Sequence, residues 1–288
     1  MYLSRLISKT LRSEPTEAET ISHRIMLKAG MIQQVASGVY NYLPLAWRSL
    51  RKIESIIREE MELAGGQEVR LSVLQPRELW EQTDRASAFG DNLFGLQDRR
   101  GRLLVMAPTH EETITNVARA NIQSYRDLPV ILYQIQTKFR DEMRPRGGLI
   151  RVREFDMKDA YSFSADEHSL DQTYSIMALA YKNIYRRCGL PALQVEADSG
   201  AIGGKDSHEF ILIADSGEDI VLTCGNCGYA ANSEKATGII HSGSNEPALP
   251  LKEVSTPGVR TIDDVSSFFG VPSTYILKTL VYRSHGNN

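Results

Sequence analysis

Three observations predict an α+β fold. Segments with apolar residues at helical spacing are interspersed with segments that alternate like strands. The strands read as antiparallel, the longest pair folding back around Gly147-Gly148. No run of βαβ units occurs, and neither GxGxxG nor GxxxxGK[ST] is present, so a doubly wound nucleotide-binding sheet is not expected.

The elements follow in order. PTEAETISHRIMLKAG reads as a helix whose capping box is Thr16 with Glu19 three residues on. After the turn-rich SGVYNYLPL, a longer helix runs from about Ala46 to Leu63. Trp47, Leu50, Ile53, Ile57 and Met61 form its stripe, and Gly65-Gly66 stops it. QEVRLSVLQP alternates like one strand and ends at Pro76, and LLVMA (103–107) is a short apolar strand. THEETITNVARANI reads as a helix with Ile114, Val117, Ala118 and Ile122 on one face. VILYQIQTKF is a clear strand, and LIRVREF is its return strand beyond the Gly-Gly turn. From Ser169 to Gly189, Leu170, Tyr174, Met177, Tyr181, Ile184 and Cys188 sit three or four apart, which predicts a helix ended by Gly189. HEFILIADS and DIVLT read as a further strand pair, and YILKTLVYR as a strand near the end.

A length of 288 residues with 42% hydrophobic content suits one large domain or two moderate ones and is too apolar for general disorder. A net charge of −3 gives no global basic field, so nucleic-acid contact needs a local patch. No apolar run approaches the roughly 20 residues of a membrane span. The basic, acid-poor start MYLSRLISKTLRSEP lacks a long apolar centre and reads as a structured arm. Three cysteines are too few for a disulfide framework and suit a reducing cytoplasm. Cys224 and Cys227 form a single CxxC, half a zinc signature. Cys188 and His241 are the other candidates, and a turn at a domain junction is the preferred reading, with no metal site expected. Beyond residue 222 the chain turns rich in Gly, Ser and Pro, which places a boundary between domains 1–222 and 223–288.

KFRDEMRPRGGLIRVREFDMKDAYSF (138–163) holds five arginines, two lysines and five carboxylates. Cross-strand ion pairs on a solvated face explain an ordinary charged hairpin. Here the arginines exceed what pairing needs and cluster at the tip, beside Phe139 and Phe155. Arginine forks match phosphate oxygens and an aromatic face stacks on a base, so the stretch suits a nucleoside triphosphate.

KFRDE followed by RVREF resembles motif 2 of class II aminoacyl-tRNA synthetases, most closely the bacterial type of prolyl-tRNA synthetase. SGVYNYLPLAWRSL with GGQEVRLSVLQP is similar to motif 1, APTHEE to the proline-recognising loop, GAIGGKDSHEF to a later substrate-binding strand, and CGYAANSEKA to the junction into an inserted domain. The resemblance implies a class II antiparallel sheet flanked by helices, followed by the start of an inserted α/β editing domain. It implies proline–tRNA ligation: L-proline and ATP, with Mg²⁺, give prolyl-adenylate, and the prolyl group passes to tRNA-Pro. A cytoplasmic homodimer without membrane attachment is expected. By resemblance Arg140 contacts the α-phosphate and the proline carboxylate. Glu142 faces the adenine-ribose side or a metal-linked water, Arg151 or its neighbour Arg153 reaches the γ-phosphate, and Phe155 stacks on adenine. Thr109, Glu111 and His208 bind proline; the alternative for Thr109 is a helix cap completed by Glu112. Pro76 sits at the dimer interface, His110 stands behind the proline ligands, and Lys278 matches an editing-pocket lysine. Motif 3 and an anticodon-binding domain are not found, so the chain reads as an N-terminal portion. A non-catalytic synthetase-like module, or a sister ligase for threonine or serine, is the alternative.

Overall fold

The computed structural model describes residues 2–13, 15, 18, 20–199, 206–214, 217, 219–238 and 250–279. Two compact units part between Thr237 and Gly238.

In the first unit, α1 (Ile21–Lys28) starts at Thr20, whose hydroxyl accepts the N–H of His23 at 3.4 Å. The helix is shorter than expected, and the proposed caps Thr16 and Glu19 lie outside the described residues. β1 (Ile32–Ala36) and β2 (Val39–Tyr42) form a hairpin around Gly38. Helix α2 (Pro44–Leu63) carries Pro44 at its first position, where no N–H is needed.

The expected single strand QEVRLSVLQP is two. β3 (Gly66–Glu68) pairs parallel with β7 (Val130–Phe139), whereas β4 (Leu74–Pro76) joins a different sheet with β5 (Gly95–Gln97) and β6 (Leu103–Met106). Between them Leu71 donates its N–H to the Gln134 side chain at 3.0 Å, which turns the backbone from one sheet to the other. Short helices α3 (Arg77–Glu81) and α4 (Arg85–Phe89) follow β4, and α5 (Glu111–Asn121) follows β6.

β7 runs antiparallel to β8 (Glu154–Phe163) over ten pairs, from Val130↔Phe163 to Phe139↔Glu154. One face of this sheet holds Ile131, Tyr133 and Ala160, packed by Ile57 and Met61 of α2 and by Met177 of α6 (Glu167–Arg187). Tyr133 and Met61 are fully buried, and burying such a methionine contributes about 1.5–3 kcal/mol. Gly66 makes this approach possible: a Cβ there would stand 2.9 Å from the Met61 carbonyl. The opposite face is polar yet equally buried, carrying Gln134, Gln136, Lys138 and Asp159.

The return strand begins at Glu154, not at Leu149. Residues 140–153 stay in an irregular tip because it docks elsewhere: Arg153 donates its N–H to the Gly38 carbonyl at 2.8 Å. Gly147 and Gly148 adopt φ of +66° and +67°, and a Cβ on Gly148 would lie 2.7 Å from the His23 ring. The Gly-Gly turn thus seats the charged tip against α1.

β9 (Leu193–Glu196), β10 (His208–Ile211), β11 (Val221–Thr223) and β12 (Ala230–Asn232) form a sheet in the order β10-β9-β12-β11. The segments read as a strand pair, β10 and β11, therefore lie at opposite edges. Each pairs with its nearer neighbour, β10 with β9 and β11 with β12 across the short cysteine turn. Since β12 also pairs with β9, the chain stays in the first unit past residue 222.

In the second unit, α7 (Ile262–Phe269) has a capping box of Thr261 and Asp264 and ends at Gly270, φ +65°. Among its described residues none is buried and none forms a strand; residues 276–279, expected in a strand, are irregular. Among all described residues no helix is long and apolar enough to cross a membrane.

Candidate active site

The end of β7, the tip and the start of β8 enclose a cleft of about 510 Å³ lined by Tyr42, Leu50, Arg140, Glu142, Arg151 and Phe155, among others. Such a volume suits a small-molecule ligand. The Arg140 guanidinium carbon lies 5.5 Å from the Phe155 ring centroid, a cation–π distance. Partial desolvation lowers the pKa of Arg140 and the Glu111 carboxylate opposes this, so the group keeps its charge. Glu142 bonds Arg151 Nε at 2.8 Å and accepts the Arg144 N–H at 3.2 Å. The bond from Arg151, then that backbone N–H, holds its carboxyl below the usual range. Of the two arginines left open by the sequence, Arg151 lines this cleft. Arg153 Nε instead donates to the Glu142 carbonyl at 3.0 Å and lies 3.5 Å from Asp141, bracing the tip.

The loop between β6 and α5 reaches the same end of β7, where Phe139 donates its N–H to the Ala107 carbonyl at 3.0 Å. Thr109 does not cap α5. The cap position is His110, and Thr109 Oγ1 donates to Glu111 Oε2 at 2.5 Å. Glu112 is buried against Arg85 Nη1 at 2.9 Å and Thr83 Oγ1 at 3.2 Å. Arg85 also reaches Glu111 at 3.2 Å while packing on the rings of Trp80 and Phe89.

Behind this loop lies a buried network that pattern reading did not single out. Lys138 and His110 are fully buried. Lys138 Nζ stands 2.8 Å from Asp159 Oδ1 and 2.7 Å from His110 Nδ1. Tyr161 donates its O–H to Asp159 Oδ2 at 2.7 Å and accepts the His110 backbone N–H at 3.1 Å. Gln134 Nε2 completes the carboxylate's shell at 3.0 Å. His110 Nε2 lies 3.1 Å from the Ser72 carbonyl, an acceptor, which assigns the proton to Nε2 and leaves Nδ1 to accept from Lys138. Burial, then the Lys138 charge, push the His110 pKa down to about 4. Burial lowers that of Lys138 against the pull of Asp159, and burial followed by the Asp159 hydrogen bond raises that of Tyr161.

A pH dependence follows. A histidine depressed from 6.5 to about 4 binds a proton more readily when unfolded. Its contribution is complete above pH 6.5 and is lost as the pH falls toward 4. Native-state hydrogen exchange of α5 amides should therefore show protection falling over that window, by at most about 3 kcal/mol.

The remaining candidates lie elsewhere. His208 opens β10 with Nδ1 2.8 Å from Tyr174 Oη, and lines a cavity of about 340 Å³ along α6 with Met177, Tyr181 and Asp206. Neither Thr109, Glu111 nor Arg140 lines that cavity. Pro76 is exposed at the end of β4 and opens α3. Lys278, in the second unit, donates to the Arg260 carbonyl. Cys224 and Cys227 are free thiols in the turn between β11 and β12, where Cys224 donates its N–H to the Tyr229 carbonyl at 2.8 Å. Cys188 ends α6, His241 lies outside the described residues, and no cluster of three or more metal-ligating side chains occurs among the described residues.

Comparison with known proteins places this geometry in context. Residues 94–241 match the family model described as the tRNA synthetase class II core domain (G, H, P, S and T). A proline–tRNA ligase of Dehalococcoides mccartyi (strain ATCC BAA-2266 / KCTC 15142 / 195) is 56% identical over 286 residues, 99% of this chain and 50% of the relative. That of Thermoanaerobacter sp. (strain X514) is 53% identical over 287 residues, 100% of this chain and 50% of the relative. The chain thus spans about half the length of the curated relatives it matches. Among solved structures, a prolyl-tRNA synthetase from Cryptosporidium parvum complexed with halofuginone and AMPPNP aligns with a TM-score of 0.60 at 19% identity, covering 65% of this chain and 40% of that one. The same synthetase complexed with L-proline and AMP aligns at 0.58 and 18% identity, covering 65% and 38%. These two alignments establish the fold. With an α+β core, a motif-2-like hairpin framing a cleft and a family match across half its length, the chain belongs to the class II tRNA synthetase core family.

Proposed function

We propose that the protein is a proline–tRNA ligase: it activates L-proline with ATP to prolyl-adenylate and transfers the prolyl group to tRNA-Pro. The observation that carries this reading is the placement of Arg140 over Phe155 at the cleft, beside a loop that pairs a hydroxyl with a carboxylate at Thr109 and Glu111. Identity of 56% to a proline–tRNA ligase supports it.

In the first step a proline carboxylate oxygen attacks the α-phosphorus, the new P–O bond forms, and pyrophosphate leaves with the electrons of the broken bond. The carboxylate is already ionised at pH 7 and needs no general base. Catalysis is then alignment and charge neutralisation. Arg140 spans the α-phosphate and the carboxylate, Phe155 stacks on adenine, Arg151 meets the γ-phosphate, and Glu142 fixes Arg151 while facing the adenine-ribose side. The ring nitrogen of proline carries two N–H donors, for which Thr109 and Glu111 are the acceptors. His208 is the proline ligand with least support, because its cavity lies along α6. Mg²⁺ would be held chiefly by the phosphates, with Glu142 and Asp156 the carboxylates that line the cleft, and it would neutralise phosphate charge.

A homodimer accounts for the outer face of the β4-β6-β5 sheet. Pairing places Leu74, Pro76, Leu96 and Leu104 on that face, with Leu74 and Leu96 47% and 38% exposed. Residues 1–222 lie within the catalytic portion in this reading, and an editing-type domain to which Lys278 belongs begins within 223–288, past the β12 strand that still pairs with β9. The setting is the cytoplasm.

ATP–pyrophosphate exchange by the natural full-length polypeptide, run with a panel of amino acids, tests the assignment. Exchange is expected to be strongest with proline, smaller amino acids giving a weaker signal of the kind an editing-type domain removes. Exchange driven by threonine or serine would identify a sister ligase, and none with any amino acid would identify a non-catalytic module.

A further inference from the structure

We infer that Lys138 is a positioning residue: its buried ammonium ties the Thr109–Glu111 loop, through His110, to β7, the strand that leads into Arg140. This rests on the reading of Thr109 and Glu111 as amino-acid ligands. Lys138 is the penultimate residue of β7, where its register with Phe155 in the β7–β8 ladder fixes the backbone leading to Arg140 independently of the lysine side chain.

The loop is short, and its two proposed ligands flank His110. That residue is fixed at three points: its ring by Ser72 at 3.1 Å and Lys138 at 2.7 Å, its backbone by Tyr161 at 3.1 Å. Two of the three anchors return to Asp159, because Lys138 and Tyr161 both bind that carboxylate, at 2.8 and 2.7 Å. Asp159 stands opposite Gln134, whose other end holds the crossover between β3 and β4. A charge pair this deep gains little net stability over apolar residues of similar size. What it supplies is a single geometry for the loop. Removing a donor to His110 Nδ1 lets the ring turn and shifts the hydroxyl and carboxylate beside it, and a displacement near 1 Å costs on the order of 100-fold in a positioned reaction.

The test is a paired variant, Lys138→Met with Asp159→Asn, which removes both charges together. In the natural full-length polypeptide, proline-dependent exchange should show KM for proline raised about 10–100-fold and KM for ATP within about twofold. A folded variant with KM for proline unchanged, or with both KM values rising together, overturns the inference, since a merely structural role would move both. A second measurement needs no variant: ¹⁵N shifts of the His110 ring at pH 7 should show a neutral Nε2–H tautomer with Nδ1 accepting. An Nδ1–H or doubly protonated ring overturns the tie. If the wild type shows no proline-dependent exchange, the functional reading fails, and the ring tautomer still decides whether Lys138 holds the loop.

Discussion

Replacing Arg140 by alanine is expected to reduce proline-dependent ATP–pyrophosphate exchange by about 10²–10³-fold, the cost of removing one preorganised donor worth ~3–4 kcal/mol to a transition state. The side chain is well placed for so specific an effect. It is exposed at the cleft, where it meets the face of Phe155, the field of Glu111 and the like charge of Lys138, so its loss leaves no buried acceptor stranded. The fold should survive, with the melting temperature close to that of the wild type. Lysine at this position should rescue little, because a point charge cannot bridge two anionic groups as a planar fork does. Exchange near the wild-type rate in the alanine variant would remove Arg140 from the chemistry.

The largest effect on stability is expected at Asp159. Alanine there leaves the Lys138 ammonium buried without an anion, a change that costs about 3–5 kcal/mol when one member of a buried pair is removed. Tyr161 and Gln134 lose their acceptor at the same time. Native-state hydrogen exchange would read this as a loss of protection in the β7 and β8 amides and in those of α5, whose cap residue His110 the network holds. Asparagine at 159 should cost less, since it still accepts from Tyr161. Equal protection in the alanine variant and the wild type would show that the network adds nothing to stability.

Much of this architecture is legible in the chain itself. Strand β7 and helices α2 and α5 lie close to where hydrophobic periodicity puts them, because Met61, Ile114, Ala118, Ile131 and Tyr133 are buried at the expected spacing, although Trp47 and Ile53 of the α2 stripe are exposed. The errors have common causes. QEVRLSVLQP keeps its alternation while moving from one sheet to another, and the crossover depends on the Gln134 side chain, 63 positions away. Strands β10 and β11 each pair with a neighbour that local pattern cannot choose. The return arm of the hairpin starts late because its tip is held by Gly38 and His23, partners distant in sequence.

The site divides in the same way. Arg140, Glu142, Arg151 and Phe155 gather in one cleft, and their mix of forked cations beside an aromatic ring is visible in the sequence. Lys138 is another matter. A lysine next to arginines reads as one more solvated charge, yet its position in β7 shares a face with Gln134 and Gln136. Polar residues repeating every second position in an otherwise apolar strand are the signal that could have shown a buried network. His208 lines a different cavity from the one framed by Arg140. A strand-opening histidine carries no information about which surface it will face.

A crystal structure of the natural full-length polypeptide with a non-hydrolysable prolyl-adenylate analogue tests the central claim most directly. The account predicts the phosphate mimic on the Arg140 guanidinium, adenine on Phe155, and the ring nitrogen of proline within hydrogen-bond distance of Thr109 and Glu111. An analogue lodged in the cavity along α6, or bound with Arg140 turned away from it, would contradict the account.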